Sequence, residues 1–453
     1  MFFLCCSIEL FVVSLYIEAV CIDLIFSTLK LILFLELHKK CSFFVTLFRL
    51  KLDLIMKTRL TLLVAGLVAT ALGAMAKVPA RAIPFILDSH LYIQATVADT
   101  IPVSLIYDTG ADRLYLDKDY MRLSPLGKLP LRKGKAQMGG AGNSGAKTIP
   151  IVIDPLRLKM GSVDYRETIT PIIELREILG RYADGMIGNN AVLGKPLMVN
   201  YTSGYLLQLD SLAPSALEGY TRLPARLENN RIYVECELDV DSLQRLKGDF
   251  LLDLGCGGTV VLTNETRKKL DLSGKPQAEC YFSNLGVGGS GTTVDFRTAS
   301  FKFLDQLRNV VVSASRSTQG ALSRRPYLGL IGNDILCHYD LIIDATGKAL
   351  YARRNSVADS SYQHSSRMQM GYVDRTDIAQ GWIVSSLYAG GIAEKAGFEI
   401  GDTIISINGR PVNGITWEEQ RKGLGLKGST TIEVKKKNGT RATLVINIDK
   451  EII

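Results

Sequence analysis

Two short acidic units, 145 residues apart, constrain this chain more than any other feature. The first is the run Ile101-Pro-Val-Ser-Leu-Ile-Tyr107 followed by Asp108-Thr109-Gly110, and the second is Phe250-Leu-Leu-Asp253-Leu254-Gly255. In each, an apolar run reads as a buried strand, and the acid stands directly at its end. An apolar residue and a glycine recur further on, as Ile187-Gly188-Asn189, 80 residues past Asp108, and as Ile331-Gly332-Asn333, 79 residues from Asp253 to Gly332. Similar elements in similar order at similar spacing point to an internal duplication. A duplicated chain can build a site at a pseudo-twofold seam. Two carboxylates brought together there repel, so they can share one proton and act as an acid and a base. A duplicated β-rich scaffold without chemistry fits the same repeat.

The surrounding pattern predicts a mainly β protein. Phe85 to Ala95 reads as one strand, with a turn at Asp99-Thr100 before the first acidic unit. Residues 133 to 147 carry Gly134, Gly139, Gly140, Gly142 and Gly145, and residues 281 to 291 carry Gly286, Gly288, Gly289 and Gly291. Such density suggests a turn or hairpin in each half, either a plain exposed loop or a lid. Ala213 to Asn230 reads as the linker between the halves, and the polar stretch from Arg353 to Met370 as a second linker. Beyond it, Gly381 to Ser385 and Asp402 to Asn408 read as strands, Thr416 to Leu424 as a helix, and the residues around Asn438-Gly439 as a hairpin.

Charge and composition narrow the classes. The chain has 453 residues, 53 Lys/Arg and 45 Asp/Glu. That excess is mild for the length, and no dense basic patch with interleaved aromatics stands out, so nucleic acid is not an expected partner. The histidines, His38, His90, His338 and His364, do not cluster, and the cysteines show no metal-binding spacing; neither a metal nor a cofactor is expected. Each histidine reads as an ordinary surface or packing residue. Four cysteines precede residue 42, and the others are Cys236, Cys256, Cys280 and Cys337. One or two disulfides fit that count, with connectivity left open.

Residues 56 to 76 have a short positive start, an apolar core and small residues at Ala74 and Ala76, the pattern of an export signal cleaved after Ala76 or Ala82. A retained membrane anchor is the other reading. Residues 1 to 55, apolar with scattered charges, read either as an upstream extension of the reading frame before Met56 or as a membrane-associated segment. Either way the remainder is expected to be exported, periplasmic or extracellular, with membrane contact only through an uncleaved amino-terminal segment.

Both halves resemble retropepsin-like aspartic proteases, over roughly residues 83 to 355. The motifs are Ile106-Tyr107-Asp108-Thr109-Gly110-Ala111 with Met186-Ile187-Gly188-Asn189, and Leu251-Leu252-Asp253-Leu254-Gly255-Cys256 with Leu330-Ile331-Gly332-Asn333-Asp334. The resemblance implies a two-lobed acid-protease β-barrel fold, with lobes at 83–215 and 225–355. It implies Asp108 and Asp253 as the catalytic acids, supported by the loop residues Thr109, Gly110, Leu254 and Gly255. It also places the glycine-rich hairpins where the family carries its flaps. Leu254 departs from the family, which has Thr or Ser there to hydrogen-bond across the seam. The departure implies either a looser acid pair or an apolar contact in place of that bond.

Residues 366–450 resemble a small α+β PDZ domain of the kind found in secreted bacterial proteases. The resemblance is carried by the run from Ser386 to Gly397 and by Gly401-Asp402-Thr-Ile-Ile-Ser-Ile-Asn408-Gly409. It implies a site for peptide carboxy termini at Met370, Gly371 and Tyr372, beside the helix expected at Thr416 to Leu424. The expectation for the whole is an exported aspartic endopeptidase acting on peptides or proteins. The alternative is a protease-like peptide-binding or envelope scaffold protein without catalysis.

Overall fold

The computed structural model describes residues 78–357 and 361–453. The export signal read at 56–76 and the segment 1–55 lie outside them. The described chain is mainly β with a mixed sheet and a small α+β region at its carboxy-terminal end. Among the described residues no helix is long and apolar enough to cross a membrane.

The duplication is written into the strand pairing. In the first half, strand Gly185–Ile187 runs parallel to Ile101–Tyr107 and antiparallel to Leu114–Asp117. In the second, Gly329–Ile331 runs parallel to Arg245–Leu252 and antiparallel to Val260–Leu262. Each half also carries a hairpin, Lys133–Met138 with Lys147–Val152 and Gln277–Phe282 with Gly291–Arg297. These hairpins are the two glycine-rich stretches of the sequence. The halves are joined by antiparallel pairing of Leu197–Asn200 with Tyr339–Asp344, with Val199 opposite Leu341.

Side-chain alternation explains why these segments are strands. Along Arg231–Asp239, Ile232, Val234, Cys236 and Leu238 all turn inward and are buried, the two-residue period of a sheet with one face on the core. Tyr339–Asp344 is buried along its whole length, with Leu341, Ile342 and Ile343 as its apolar centre instead of an alternating pattern, and Asp340 and Asp344 buried at either side.

Two boundaries differ from the sequence reading. Phe85 to Ala95 is not one strand: the chain reverses at Ser89, φ 55°, and Leu87 faces Leu91 across the turn. No glycine or proline marks that reversal, and apolar residues continue on both sides. The linker expected at Ala213 to Asn230 is shorter, because Thr221–Glu228 forms a strand that pairs with Ala349–Arg354 and with Arg231–Asp239. Its turn residues Asn229 and Asn230 both have positive φ, at 51° and 57°, the conformation that two-residue hairpins demand and asparagine tolerates. Cys236, Cys256 and Cys280 are free thiols.

The carboxy-terminal region has its own core, with Trp382, Val384, Phe398, Ile404, Ile432 and Val434 buried together. It is nonetheless fastened to both halves. Strand Trp382–Tyr388 pairs with the hairpin strand Gln277–Phe282, Tyr281 facing Leu387, and Tyr388 donates from its hydroxyl to the buried Asp295 carboxylate at 2.6 Å. On the other side Arg375 is fully buried and ion-paired to Asp119, Glu177 and Asp377. Removing Arg375 takes away the fully buried cation that joins the three carboxylates, although Asp119 keeps Arg122, Asp377 keeps Arg176 and Glu177 is partly exposed. Arg375→Ala should therefore destabilise the protein by about 1.5–3 kcal/mol, measured by chemical denaturation of the full chain, whereas Arg122→Ala, at an exposed pair with Asp119, should change it by less than about 1 kcal/mol.

Candidate active site

The site grows from the two strand ends. Tyr107 and Leu252 are the last residues of their strands. Beyond each, the acid's backbone N–H donates to a strand of its own half: Asp108 to the Ile187 carbonyl and Asp253 to the Ile331 carbonyl, both at 3.0 Å. Each carboxylate then folds back over its own loop. Gly110 N–H donates to Asp108 Oδ1 at 2.6 Å, and Gly255 N–H to Asp253 Oδ1 at 3.0 Å.

The two carboxylates meet. A methyl group placed on Gly110 would lie 3.0 Å from Asp108 Oδ1 and 3.2 Å from Asp253 Oδ1, and one on Gly255 would lie 2.2 Å from Asp108 Cγ. Both glycines are therefore required by space: any side chain would enter the acid pair. Behind the loops, Gly188 and Gly332 are equally confined. A Cβ would come within 2.5 Å of the Ala111 backbone at one and 2.2 Å of the Gly258 carbonyl at the other.

Asn189 and Asn333 hold the loops from behind. Asn189 accepts from Tyr107 Oη at 2.8 Å and donates to the Thr109 carbonyl at 3.0 Å and to the Asn230 carbonyl of the other half. Asn333 accepts from Tyr201 Oη at 2.6 Å and donates to the Leu254 carbonyl at 2.8 Å and to the Ser89 carbonyl at 2.9 Å. Ser89 and Asn230 lie at corresponding hairpin turns, so each asparagine ties its own acid loop to the opposite half.

The residues after those turns reach in as well. Arg231 donates from Nε to the Gly110 carbonyl at 2.9 Å, and the His90 ring hydrogen-bonds the Gly255 carbonyl. Burial pulls the His90 pKa down to about 4, against hydrogen bonds to the Asp88 and Gly255 backbone that favour the charged form. His90 is thus neutral at ordinary pH and part of the site, not the ordinary surface or packing residue expected of it. Neither His90 nor Arg231 stood out in sequence. Only their matched places after the two turns could have marked them.

At the position where the halves differ, Thr109 acts alone. Its hydroxyl donates to the Leu252 carbonyl at 2.5 Å and accepts from Leu254 N–H at 2.9 Å, both across the seam. Leu254 is fully buried in the main core. Of the two alternatives its departure raised, the structure has the apolar contact.

Both acids keep an edge open to solvent, yet protein surrounds them densely. Burial raises the Asp108 pKa, opposed by the Gly110 N–H and by a hydrogen bond from Asp253. Burial and then the charge of Asp108 push Asp253 well above the ordinary carboxylate value. Both carboxyls are therefore raised, and the pair as a unit holds a proton above the ordinary carboxylate range.

An apolar cluster lies on each side. Tyr92, Ile106, Ala111 and Met186 form one, with Val287 from the second hairpin tip packed on it. Tyr233, Leu251, Leu330 and Tyr327 form the other, with Ala141 from the first tip. The tips therefore cross to opposite halves. They also bond each other, through Asn143 N–H to the Ser290 carbonyl at 3.0 Å and Ser144 N–H to the Gly288 carbonyl at 2.9 Å. Two surface cavities of about 460 and 640 Å³ lie elsewhere, and neither is lined by Asp108 or Asp253.

Met370, Gly371 and Tyr372 are apart from the acids, on strand Met370–Asp374. Met370 is buried, Tyr372 stacks on Trp382 at 4.8 Å, and a Cβ on Gly371 would meet Ser386 Oγ at 2.5 Å. The helix expected nearby spans Trp417–Arg421, with Thr416 and Glu419 forming a capping box. Gln420 of that helix donates to Asp374 Oδ2 at 2.9 Å, bridging the space between helix and strand.

Comparison with known families adds one finding for this region: residues 383–421 match the model of the PDZ domain. The chain thus carries a PDZ-like domain, which supports peptide or protein interaction in general terms. No curated protein matches the chain.

Thr109 gives the direct test of the seam. Thr109→Val should cost about 1–3 kcal/mol, because it leaves Leu254 N–H and the Leu252 carbonyl buried without a partner. Thr109→Ser should keep most of that stability, and thermal melts of the two variants should separate accordingly.

Proposed function

We propose that this chain is an exported aspartic endopeptidase with a two-lobed retropepsin-like fold. One observation carries the reading: two carboxylates from corresponding loops come so close that a methyl group on Gly110 would touch both, at 3.0 and 3.2 Å, and their burial raises both above the ordinary carboxylate value. Such a pair can activate water without a covalent enzyme intermediate.

In this reading Asp108, ionised, takes a proton from a water molecule lying between the acids. The water oxygen attacks the peptide carbonyl carbon while Asp253 gives its proton to the carbonyl oxygen. The gem-diol then collapses: one hydroxyl returns its proton to Asp253, the proton on Asp108 passes to the amide nitrogen, and the C–N bond breaks. The pair ends in its starting state. Thr109, Gly110, Leu254 and Gly255 act by keeping the loops in place, since small displacements of reacting groups cost large factors in rate.

The substrate is an extended peptide with apolar side chains on both sides of the cut bond, matching the clusters around Tyr92 and Tyr233. Ala141 and Val287 occupy those clusters, so the hairpin tips must lift before a peptide enters. The PDZ-like domain takes peptide termini at Met370, Gly371 and Tyr372. Export rests on the signal pattern at 56–76.

A second reading, peptide binding without hydrolysis, is favoured by the covered acid pair and by the single hydroxyl at the seam. A peptide library incubated with the full chain between about pH 3 and pH 8 separates the two. Hydrolysis should be lost in both Asp108→Asn and Asp253→Asn. The active pair carries one proton, so the rate should fall at low pH as Asp108 takes up a second, and at high pH as Asp253 loses its own. Both limbs should lie above the ordinary carboxylate value of 3.8, because both acids are raised. No cleavage by folded protein anywhere in that range would leave the binding reading.

A further inference from the structure

We propose that Trp417 of the PDZ-like domain is a specificity-determining wall of the acid cleft. It closes the pocket on the Tyr92 side that receives an apolar substrate side chain. The proposal rests on the hydrolytic reading for its substrate, but its geometry is independent of it.

The two clusters flanking the acids are built from corresponding residues. Tyr92 and Tyr233 are each the third residue of the strand that follows a hairpin turn, and Ile106 and Leu251 each stand two residues before their acid. What closes them differs. On the second side Tyr327, from the same half, sits against Tyr233 with ring centroids 5.5 Å apart. On the first side the ring comes from another part of the chain. Trp417 meets Tyr92 edge-on at 4.9 Å and stacks flat on Tyr182 at 4.7 Å, with the rings inclined by 12°. Its indole N–H donates to Asp88 Oδ2 at 2.6 Å, on the strand before the Ser89 turn.

This placement is fixed, not incidental. Trp417 opens a helix whose capping box sets its first turn. Arg375 and Asp374 anchor the same domain to the first half, the latter through a hydrogen bond from Arg181 N–H to the Asp374 carbonyl at 2.8 Å. Trp417 belongs to the cluster that contains Tyr92, Ile106, Ala111 and Met186, and Val287 of the second hairpin packs on that cluster too. Val287 and Trp417 pack on the same cluster, so in this proposal the space that Val287 leaves on withdrawing extends along Tyr92 to the indole. An aromatic wall of this kind favours large apolar side chains through contact area and ring geometry, and truncating it alters discrimination by roughly one to two orders of magnitude. The PDZ-like domain is therefore part of the cleft as well as a peptide-recognition module.

The test uses the full chain and side-resolved cleavage of a peptide library. Trp417→Ala should shift preference between large and small apolar residues at least about tenfold on one side of the cut. Trp417→Phe, which keeps a ring, should shift it far less. Tyr327→Ala should act on the opposite side. A Trp417→Ala profile matching the native one, or shifted equally on both sides, overturns the proposal.

A binding readout separates it from the hydrolytic reading. The chain has two tryptophans, and the other, Trp382, is fully buried in the carboxy-terminal core. In Asp108→Asn protein, an apolar extended peptide should change tryptophan emission, and the change should vanish when Trp417→Phe is added. Emission that is unchanged while calorimetry shows binding overturns the proposal even if the native chain cleaves peptides. A Trp417-dependent change without hydrolysis by the native chain overturns the enzymatic reading and leaves the pocket standing. Neither binding nor hydrolysis overturns both.

Discussion

Everything near the acids depends on hydrogen bonds that cross the seam between the halves. The Thr109 hydroxyl, the amides of Asn189 and Asn333, and the Arg231 guanidinium all bond main-chain groups of the opposite half. None of these bonds is worth more than a few kcal/mol by itself. Their effect is geometric. Two carboxylates repel, and nothing in either half alone would hold them together. The crossed bonds use side chains of one half to satisfy buried backbone of the other, so separating the acids would strand polar groups away from water.

Leu254 shows how such a seam tolerates asymmetry. A neutral hydrogen bond contributes about 0.5–1.5 kcal/mol net, and burying a leucine about 1.5–3 kcal/mol. Replacing a hydroxyl by Leu254 therefore need not weaken the seam. What is lost is directional control on one side, which Thr109 supplies from the other. The charges are asymmetric too. Arg231 stands over the Gly110 carbonyl with a permanent charge, while its counterpart His90 is neutral above about pH 4. Both acids feel the Arg231 charge, which favours their ionised forms and opposes burial.

Much of this was legible in the sequence. The repeated apolar-acid and apolar-glycine segments located both acid loops, and the glycine clusters located both hairpins, because those positions demand residue types that little else can replace. The close approach at Gly110, Gly188, Gly255 and Gly332 is the physical reason. The reversal at Ser89 was hidden, since a single serine at positive φ between apolar runs leaves no compositional break. The Thr221–Glu228 strand was hidden because its apolar residues are sparse and its order comes from pairing with distant Ala349–Arg354. The roles of His90, Arg231 and Trp417 were illegible for a related reason: each acts through contacts 120 to 330 residues away in sequence. The PDZ-like segment was readable as a module, but its attachment to both halves was not.

The central claim is that Asp108 and Asp253 form one coupled pair sharing a proton. Carbon-13 NMR titration of the aspartate carboxyl groups tests it most directly, with the native chain compared with Asp108→Asn. The account predicts that Asp253 titrates well above 3.8 in the native protein and that its value falls when the neighbouring charge is removed. Two carboxyl groups titrating independently in the ordinary range, with Asp253 indifferent to the loss of Asp108, would contradict it.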